Sequence, residues 1–231
     1  MSEFVTPWQT LRELITAGNG VEATKFIDTL SPSETARAIS RLTEAEQVRI
    51  LSLLNPEDAA EVIEDIPETQ AANLVEDMPA DQAAAIMGEL TSDHVVDVLG
   101  EMGADASQAI LAKMDRQEAA EARKLLEYAP DCAGGLMISE FLAYKLDNTI
   151  QDVLDDLQAN RKKYLDYHVQ YFYVIDRDKK LAGVLRVHDL LFPDRQTPLE
   201  RIMLSSPLSV SDKASLKMLQ DFFEEHHLFG V

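Results

Sequence analysis

From Leu30 onward the sequence advances in steps of twelve residues, a period that constrains the fold more than any other feature of the chain. The units LSPSETARAISR, LTEAEQVRILSL, LNPEDAAEVIED, IPETQAANLVED, MPADQAAAIMGE, LTSDHVVDVLGE, MGADASQAILAK and MDRQEAAEARKL begin at Leu30, Leu42, Leu54, Ile66, Met78, Leu90, Met102 and Met114. Position one is a large apolar residue in every unit. Position two is a residue that caps or starts helices: Ser31, Thr43, Asn55, Pro67, Pro79, Thr91, Gly103 and Asp115. Small or apolar residues recur at positions six, seven, nine and ten, which makes one apolar helical face. Each unit therefore predicts a helix of about ten residues and a tight turn. A helix that short is unstable alone. Stacking against its neighbours buries its face, so the expectation is a helical solenoid of right-handed type. Residues 1–29 predict one or two further helices, with Trp8, Leu11, Leu14 and Ile15 on an apolar face.

Charge is distributed unevenly over this repeat. The 231-residue chain carries a formal net charge of −20, while 46% of its residues are hydrophobic. That apolar content suits a folded core and sets the chain apart from acidic disordered tails. The acidity argues against a nucleic-acid partner and favours metal cations or a basic protein. Between Arg49 and Lys113 there is no Lys or Arg, and 14 acidic residues occur. A solvated helical surface normally mixes both signs.

Within that stretch, ELTSDHVVDVLGEM (89–102) spans the junction of two units. Thr91 is the expected N-cap. Asp93 falls in the first turn, where the helix dipole favours an anion. Asp97 sits in mid-helix at the solvent-facing position eight, four residues after Asp93, where like charges are mildly destabilising. Glu61 holds the same position three units earlier.

After LLEYAPDCAGGLM the period changes, with Pro130 and Gly134-Gly135 marking the break. FLAYKL (141–146) predicts a strand, and Asn148 is expected to cap a helix over TIQDVLDDLQAN. YFYVID (171–176) and LAGVLRV (181–187) predict a hairpin, and HDLLF a short helix. PLSV (207–210) is expected to begin a further strand, and Asp212 to cap a helix over 213–226. The order is β-α-β-β-α followed by the start of a second copy. The fold class expected is α plus α/β: the helical-repeat domain over 1–128, a linker over 129–138, a first module over 139–203 and the start of a second, incomplete one over 204–231.

The stretch DNTIQDVLDDLQ…YFYVIDRDKKLAGVLRVHDLL resembles a CBS motif, and TPLERIMLSSPLSVSDKASLKMLQDFFEEHHLFGV resembles the first half of a second. Twelve-residue helical repeats, then AGGLM (133–137), then CBS motifs resemble the cytosolic region of the MgtE family of magnesium channels and transporters. The resemblance implies a Mg²⁺ sensor in which the ion bridges acidic faces of the helical and CBS domains and favours a compact, closed state. AAEVIEDIP places Glu61 on a sensing acid of that family, and LTSDHVVDVL places Asp93 and Asp97 on its L-x-x-D-x-x-x-D-x-L helix. Asp212 of the second CBS motif completes the implied metal set. The sites are expected to be weak and water-mediated, because Mg²⁺ is a hard cation that keeps several waters. The resemblance also implies a homodimer through the CBS motifs, a transmembrane part of a transporter if the gene continues, and a cytoplasmic location at the inner face of the membrane. An adenine nucleotide is a further ligand that CBS motifs allow. Here GVLRVHD keeps Asp189 but has Arg186 where nucleotide-binding motifs carry Ser or Thr, which weighs against it.

Other features carry less. MSEFVTPWQT has no basic region followed by an apolar run, so no signal peptide is expected. No segment reaches the roughly 20 apolar residues of a membrane span. Cys132 is the single cysteine, with no nearby His, and fits a reducing compartment. His94 with Asp97 lacks the third soft ligand of a transition-metal site, and His226 and His227, adjacent on a helix, point in different directions. No nucleophile–base arrangement is visible, so the chain is not expected to be an enzyme. Two readings compete with the Mg²⁺ sensor: a protein-interaction solenoid and a nucleotide-sensing CBS regulator.

Overall fold

The structure, a computed structural model, describes residues 6–165, 167, 169–228 and 230–231. Residues 1–5, where no leader is expected, and Phe229 of the apolar end lie outside them. The chain divides into two compact units, Met1–Tyr128 and Ala129–Val231.

The first unit is all helical. Two helices, α1 (Pro7–Ala17) and α2 (Gly20–Ile27), precede the repeats. The repeats form α3 (Pro32–Ile39), α4 (Glu44–Leu53), α5 (Pro56–Glu64), α6 (Glu68–Glu76), α7 (Ala80–Met87), α8 (Ser92–Glu101), α9 (Ala104–Leu111) and α10 (Arg116–Leu125). Their first residues are spaced by twelve without exception. The turn chemistry explains the regularity. Asn55 Oδ1 accepts from the Asp58 backbone N–H at 2.9 Å. Thr43 Oγ1 accepts from Glu46 N–H, whose side chain reaches back to Thr43 N–H at 2.8 Å. Pro67 and Pro79 hold the cap position with extended backbone and no side-chain bond.

The apolar period buries what it should. Positions nine and ten are core from α3 through α9, as in Val62 and Ile63, Leu74 and Val75, Ile86 and Met87, and Val98 and Leu99. Position six is buried in all eight repeats, and in four of them it is alanine, which lets helix backbones approach closely. The stacking partner is not the next helix along. Packing runs from α4 to α6 to α8 to α10, and separately from α5 to α7 to α9. A helix this short leaves room for its successor only at its end, so alternate helices form two stacks with one core between them. Arg12 joins α1 to this array through a two-point contact with Glu46, at 2.6 and 3.0 Å.

The second unit holds a four-stranded sheet in the order β1 (Leu142–Lys145), β2 (Tyr171–Ile175), β3 (Leu181–Arg186), β4 (Leu204–Ser205). β1 and β2 are parallel, joined through α11 (Ile150–Ala159), and β2 and β3 form the expected antiparallel hairpin. Phe172, Val174 and Leu185 point inward against Ile150 and Val153 of α11. The helix α11 is capped by Thr149, which exchanges hydrogen bonds with Asp152. Asn148, expected in that role, instead accepts the Lys145 N–H at 2.8 Å.

Three other expectations are revised. The stretch 207–210 is not a strand. The fourth strand is Leu204–Ser205, and the chain leaves the sheet at Ser206, whose φ of 55° is left-handed, just before Pro207, which has no N–H to offer a ladder. Asp212 does not cap the last helix: α12 runs over Leu216–His226 and is capped by Ser215, whose Oγ accepts the Met218 N–H at 3.4 Å. The residues read as a linker carry structure of their own. Ala133–Leu136 forms a 3₁₀ turn, Ala133 N–H donates to Ala214 O, and Gly134 N–H donates to Asp212 O at 2.6 Å. Gly135 is required there, because a Cβ would collide with the Ala129 carbonyl and the Pro130 Cα.

Candidate metal-responsive acidic faces

The acidic stretch contains two clusters in different stacks. On α8, Thr91 has the extended backbone of an N-cap, but its hydroxyl donates sideways to Asp93 Oδ1 at 2.6 Å. The Thr91 hydroxyl oxygen also lies 2.9 Å from His94 Nδ1. Asp93 is half-buried in the first turn, and Asp97 is exposed one turn later. Partial burial, then the carboxylates of Asp93, Glu68 and Glu101, push the Asp97 carboxyl above its ordinary range, with His94 pulling the other way. His94 itself is turned toward Glu64, 3.8 Å from Oε1, rather than forming a chelate with Asp97.

The second cluster surrounds Glu61 on α5. Asp58 is settled by neutral donors, with Asn55 Nδ2 at 2.7 Å and Thr24 Oγ1 at 2.6 Å. Glu61 has none. Partial burial, then Asp58, Asp28, Glu57 and Glu64, raise its carboxyl. Burial raises Asp65 at the end of the same helix. Asp28, Glu61, Glu64 and Asp65 line a groove of about 400 Å³ with Thr35.

Glu61 and Asp97 share the repeat position but no electrostatic neighbour. The structure therefore brings Asp93 and Asp97 together and leaves Glu61 in a separate cluster. Asp212 lies in the second unit, exposed, with Ser211 Oγ donating to its Oδ1 at 3.2 Å. Among the described residues no group of three or more His, Cys, Asp or Glu side chains converges as metal ligands do. Nor does any Lys or Arg there pair with a carboxylate between residues 50 and 112. The acids are spread over a surface, an arrangement that suits a cation retaining its water rather than one stripped into a cage. Asp28 and Glu64 were missed in the sequence because the groove is built from two helices, and only the fold places them around it with Asp65, which lies four residues after Glu61.

In the second unit, Asp189 is fully engaged. Arg186 N–H donates to its Oδ2 at 2.9 Å, and the guanidinium touches both oxygens at 3.2 Å. His188 Nε2 adds a contact of 2.9 Å. Arg186, at the position where nucleotide-binding CBS motifs carry Ser or Thr, thus occupies the Asp189 carboxylate. No helix among the described residues is long and apolar enough to cross a membrane.

Known proteins share this organisation. Residues 30–131 match the MgtE intracellular N domain, and residues 133–192 match the CBS domain. The magnesium transporter MgtE of Thermus thermophilus is 36% identical over 91 residues, 39% of this chain and 20% of that protein. The Enterococcus faecalis and Bacillus subtilis MgtE proteins are 29% and 24% identical over 41% and 52% of the chain, which is 20% and 26% of their own length. The matched stretch is thus about a fifth to a quarter of those relatives. Among solved structures, the cytosolic domain of the Mg²⁺ channel MgtE in complex with ATP superposes with a TM-score of 0.81 at 25% identity, covering 94% of this chain and 88% of that one. The soluble part of a magnesium transporter gives 0.80 at 21% identity, covering 96% and 87%, and supports the fold. The repeats of this chain match the MgtE intracellular N domain and its sheet unit matches the CBS domain, so the chain is similar over most of its length to the cytosolic domain of MgtE.

Proposed function

We propose that this chain is a cytosolic Mg²⁺-sensing region of an MgtE-like magnesium transporter, in which Mg²⁺ bridges acidic faces of the helical and CBS units and favours a compact, closed state. The observation that carries the reading is Asp97: a carboxylate with no donor and no Lys or Arg partner among the described residues, raised by partial burial and then by Asp93, Glu68 and Glu101, with His94 opposing them. Asp93, Glu61 and Asp212 are the further proposed ligands. Excess like charge destabilises the metal-free form, and a cation that binds one arrangement better than another shifts the population toward it. Mg²⁺ meets this need through its waters. The location that follows is the cytoplasmic face of the membrane holding the transporter's remaining part.

Homodimerisation through the CBS unit belongs to the same reading. Leu191 and Phe192, at the end of the first motif, are 70% and 83% exposed, more than a soluble surface ordinarily leaves on adjacent large apolar residues. Nucleotide sensing at the first motif is disfavoured by the Arg186–Asp189 pair.

The test is a Mg²⁺ titration followed by small-angle scattering and thermal unfolding. Millimolar Mg²⁺ is expected to reduce the radius of gyration and raise the Tm, and Asp93→Asn with Asp97→Asn to blunt both. A wild-type chain indifferent to Mg²⁺ in both measurements sinks the sensor reading, and an undiminished response in the double variant removes these two residues from it.

A further inference from the structure

The start of α8 departs from the pattern used elsewhere in the chain. In α3, α4 and α11 the third helical residue is Glu34, Glu46 or Asp152. Its side chain reaches back to the backbone N–H of the cap, Ser31, Thr43 or Thr149, at 3.0, 2.8 and 2.7 Å. That reciprocal arrangement satisfies donors the helix start would otherwise leave open. In α8 the third residue is His94, and the Thr91 hydroxyl makes no cap bond to the backbone. Helix stability is given up here, and the two side chains are turned to something else.

Counting protons settles the direction of their bonds. Thr91 has one hydroxyl proton, and a carboxylate only accepts. That proton therefore goes to Asp93 Oδ1 at 2.6 Å. His94 Nδ1, 2.9 Å from the same hydroxyl oxygen, must then be the donor. The ring carries a proton on Nδ1, and one directed chain of bonds runs from His94 through Thr91 to Asp93. Bonds aligned in this way strengthen one another. Nδ1 also lies 3.8 Å from Glu64 Oε1 on α5, so the ring stands between two helices. Thr91, Asp93 and His94 are half-buried, whereas Asp97 is exposed. A carboxylate held by one oxygen faces one way.

We propose that Thr91 and His94 are positioning residues for Asp93: the His94 Nδ1–H and the Thr91 hydroxyl hold its carboxylate in the direction from which it engages hydrated Mg²⁺. This role rests on the Mg²⁺ reading above, and neither residue touches the ion. Groups that hydrogen-bond a metal-binding side chain contribute about ten- to a hundredfold to affinity, and the lower end suits an ion that keeps its waters.

Mg²⁺ binding to the full chain is measured by calorimetry for the wild type, Thr91→Val and Thr91→Ser. Asp93→Asn, alone and with Thr91→Val, completes a cycle. Thr91→Val is expected to weaken binding by about tenfold, and Thr91→Ser, which keeps the hydroxyl, to restore it. In the Asp93→Asn background Thr91→Val should change nothing further. A purely structural effect would lower the Tm in EDTA and weaken binding equally in both backgrounds. Nitrogen-15 NMR of the wild-type chain in alkaline buffer reads the ring without any variant, and His94 is expected to be protonated on Nδ1. Unchanged affinity in Thr91→Val, no rescue by Ser, equal effects with and without Asp93, or a ring protonated on Nε2 would each overturn the role. A wild-type chain that does not bind Mg²⁺ overturns it together with the Mg²⁺ reading, whereas those four results in a chain that binds Mg²⁺ overturn it alone.

Discussion

The Thr91 hydroxyl donates to the Asp93 carboxylate at 2.6 Å, and no described group does the same for Asp97 one turn along the helix. The two acids that look equivalent in sequence are therefore unequal. Asp93 also has the positive end of the helix dipole. Neutralising Asp97 is expected to stabilise the metal-free chain by about 0.3–0.5 kcal/mol, the cost of a like-charge pair at this spacing. Asp93→Asn gives up its dipole and hydroxyl contacts and should gain nothing. Thermal unfolding in EDTA distinguishes them: the Tm should rise by about 1–2 °C for Asp97→Asn only.

Acid should first help this protein and then harm it. Glu61, Asp65 and Asp97 have carboxyls raised in the folded chain, chiefly by burial. A group raised on folding binds its proton more tightly in the native state, so lowering the pH from neutral toward the ordinary carboxylate range favours folding. Glu46 has the opposite sign: the bond from Arg12, then that from Thr43 N–H, hold it at about 2 against an ordinary 4.5, and its contribution is lost as pH falls below 4.5. The Tm in metal-free buffer should pass through a maximum on the acid side of neutrality. The rise on its neutral side should shrink when Glu61, Asp65 and Asp97 are replaced by their amides. A Tm that falls steadily from pH 7 downward would refute this.

Arg186 occupies the Asp189 carboxylate from three directions with the help of the local turn. Replacing it with Ser restores the residue type found in nucleotide-binding CBS motifs. Wild-type chain is expected to bind ATP at least tenfold more weakly than Arg186→Ser, measured by equilibrium dialysis, since breaking a two-point pair is worth about 1.4 kcal/mol or more. Equal binding would show that Asp189 is not the limiting group.

Two glycines give opposite expectations. Gly100 near the end of α8 has open space where a Cβ would stand, so Gly100→Ala should stabilise the helical unit by about 0.5–1 kcal/mol through helix propensity. At Gly135 the Cβ would meet backbone, so Gly135→Ala should cost about 1–3 kcal/mol. Denaturant melts resolve the two units: Trp8, the single tryptophan, reports the first, and the tyrosines of β2 the second.

Much of this was written in the sequence because it is local. Helix starts, caps and buried positions follow from residues within one turn of each other, and Ser31, Thr43, Asn55 and Thr91 mark them one by one. The β2–β3 hairpin is legible for the same reason. What escaped depends on long-range placement. Asp28 and Asp65 line one groove because α2 and α5 come side by side, which no twelve-residue window records. The fourth strand is two residues long and exists only because β3 offers an edge to Leu204 and Ser205. Asp212 resembled a cap, but Ser211 takes its side chain and the turn continues to Ser215 before the helix begins.

Because α4, α6, α8 and α10 stack apart from α5, α7 and α9, the surface pattern of the helical unit repeats every 24 residues although its core repeats every twelve. Gain or loss of a single unit would preserve every buried contact type and yet transfer each downstream side chain to the other stack, carrying Asp93 and Asp97 with it. Only changes by pairs of units conserve which residues share a face. Length variation among such arrays is therefore expected to come in even numbers of repeats wherever the face matters, and aligning their acids calls for counting helices by parity before comparing letters.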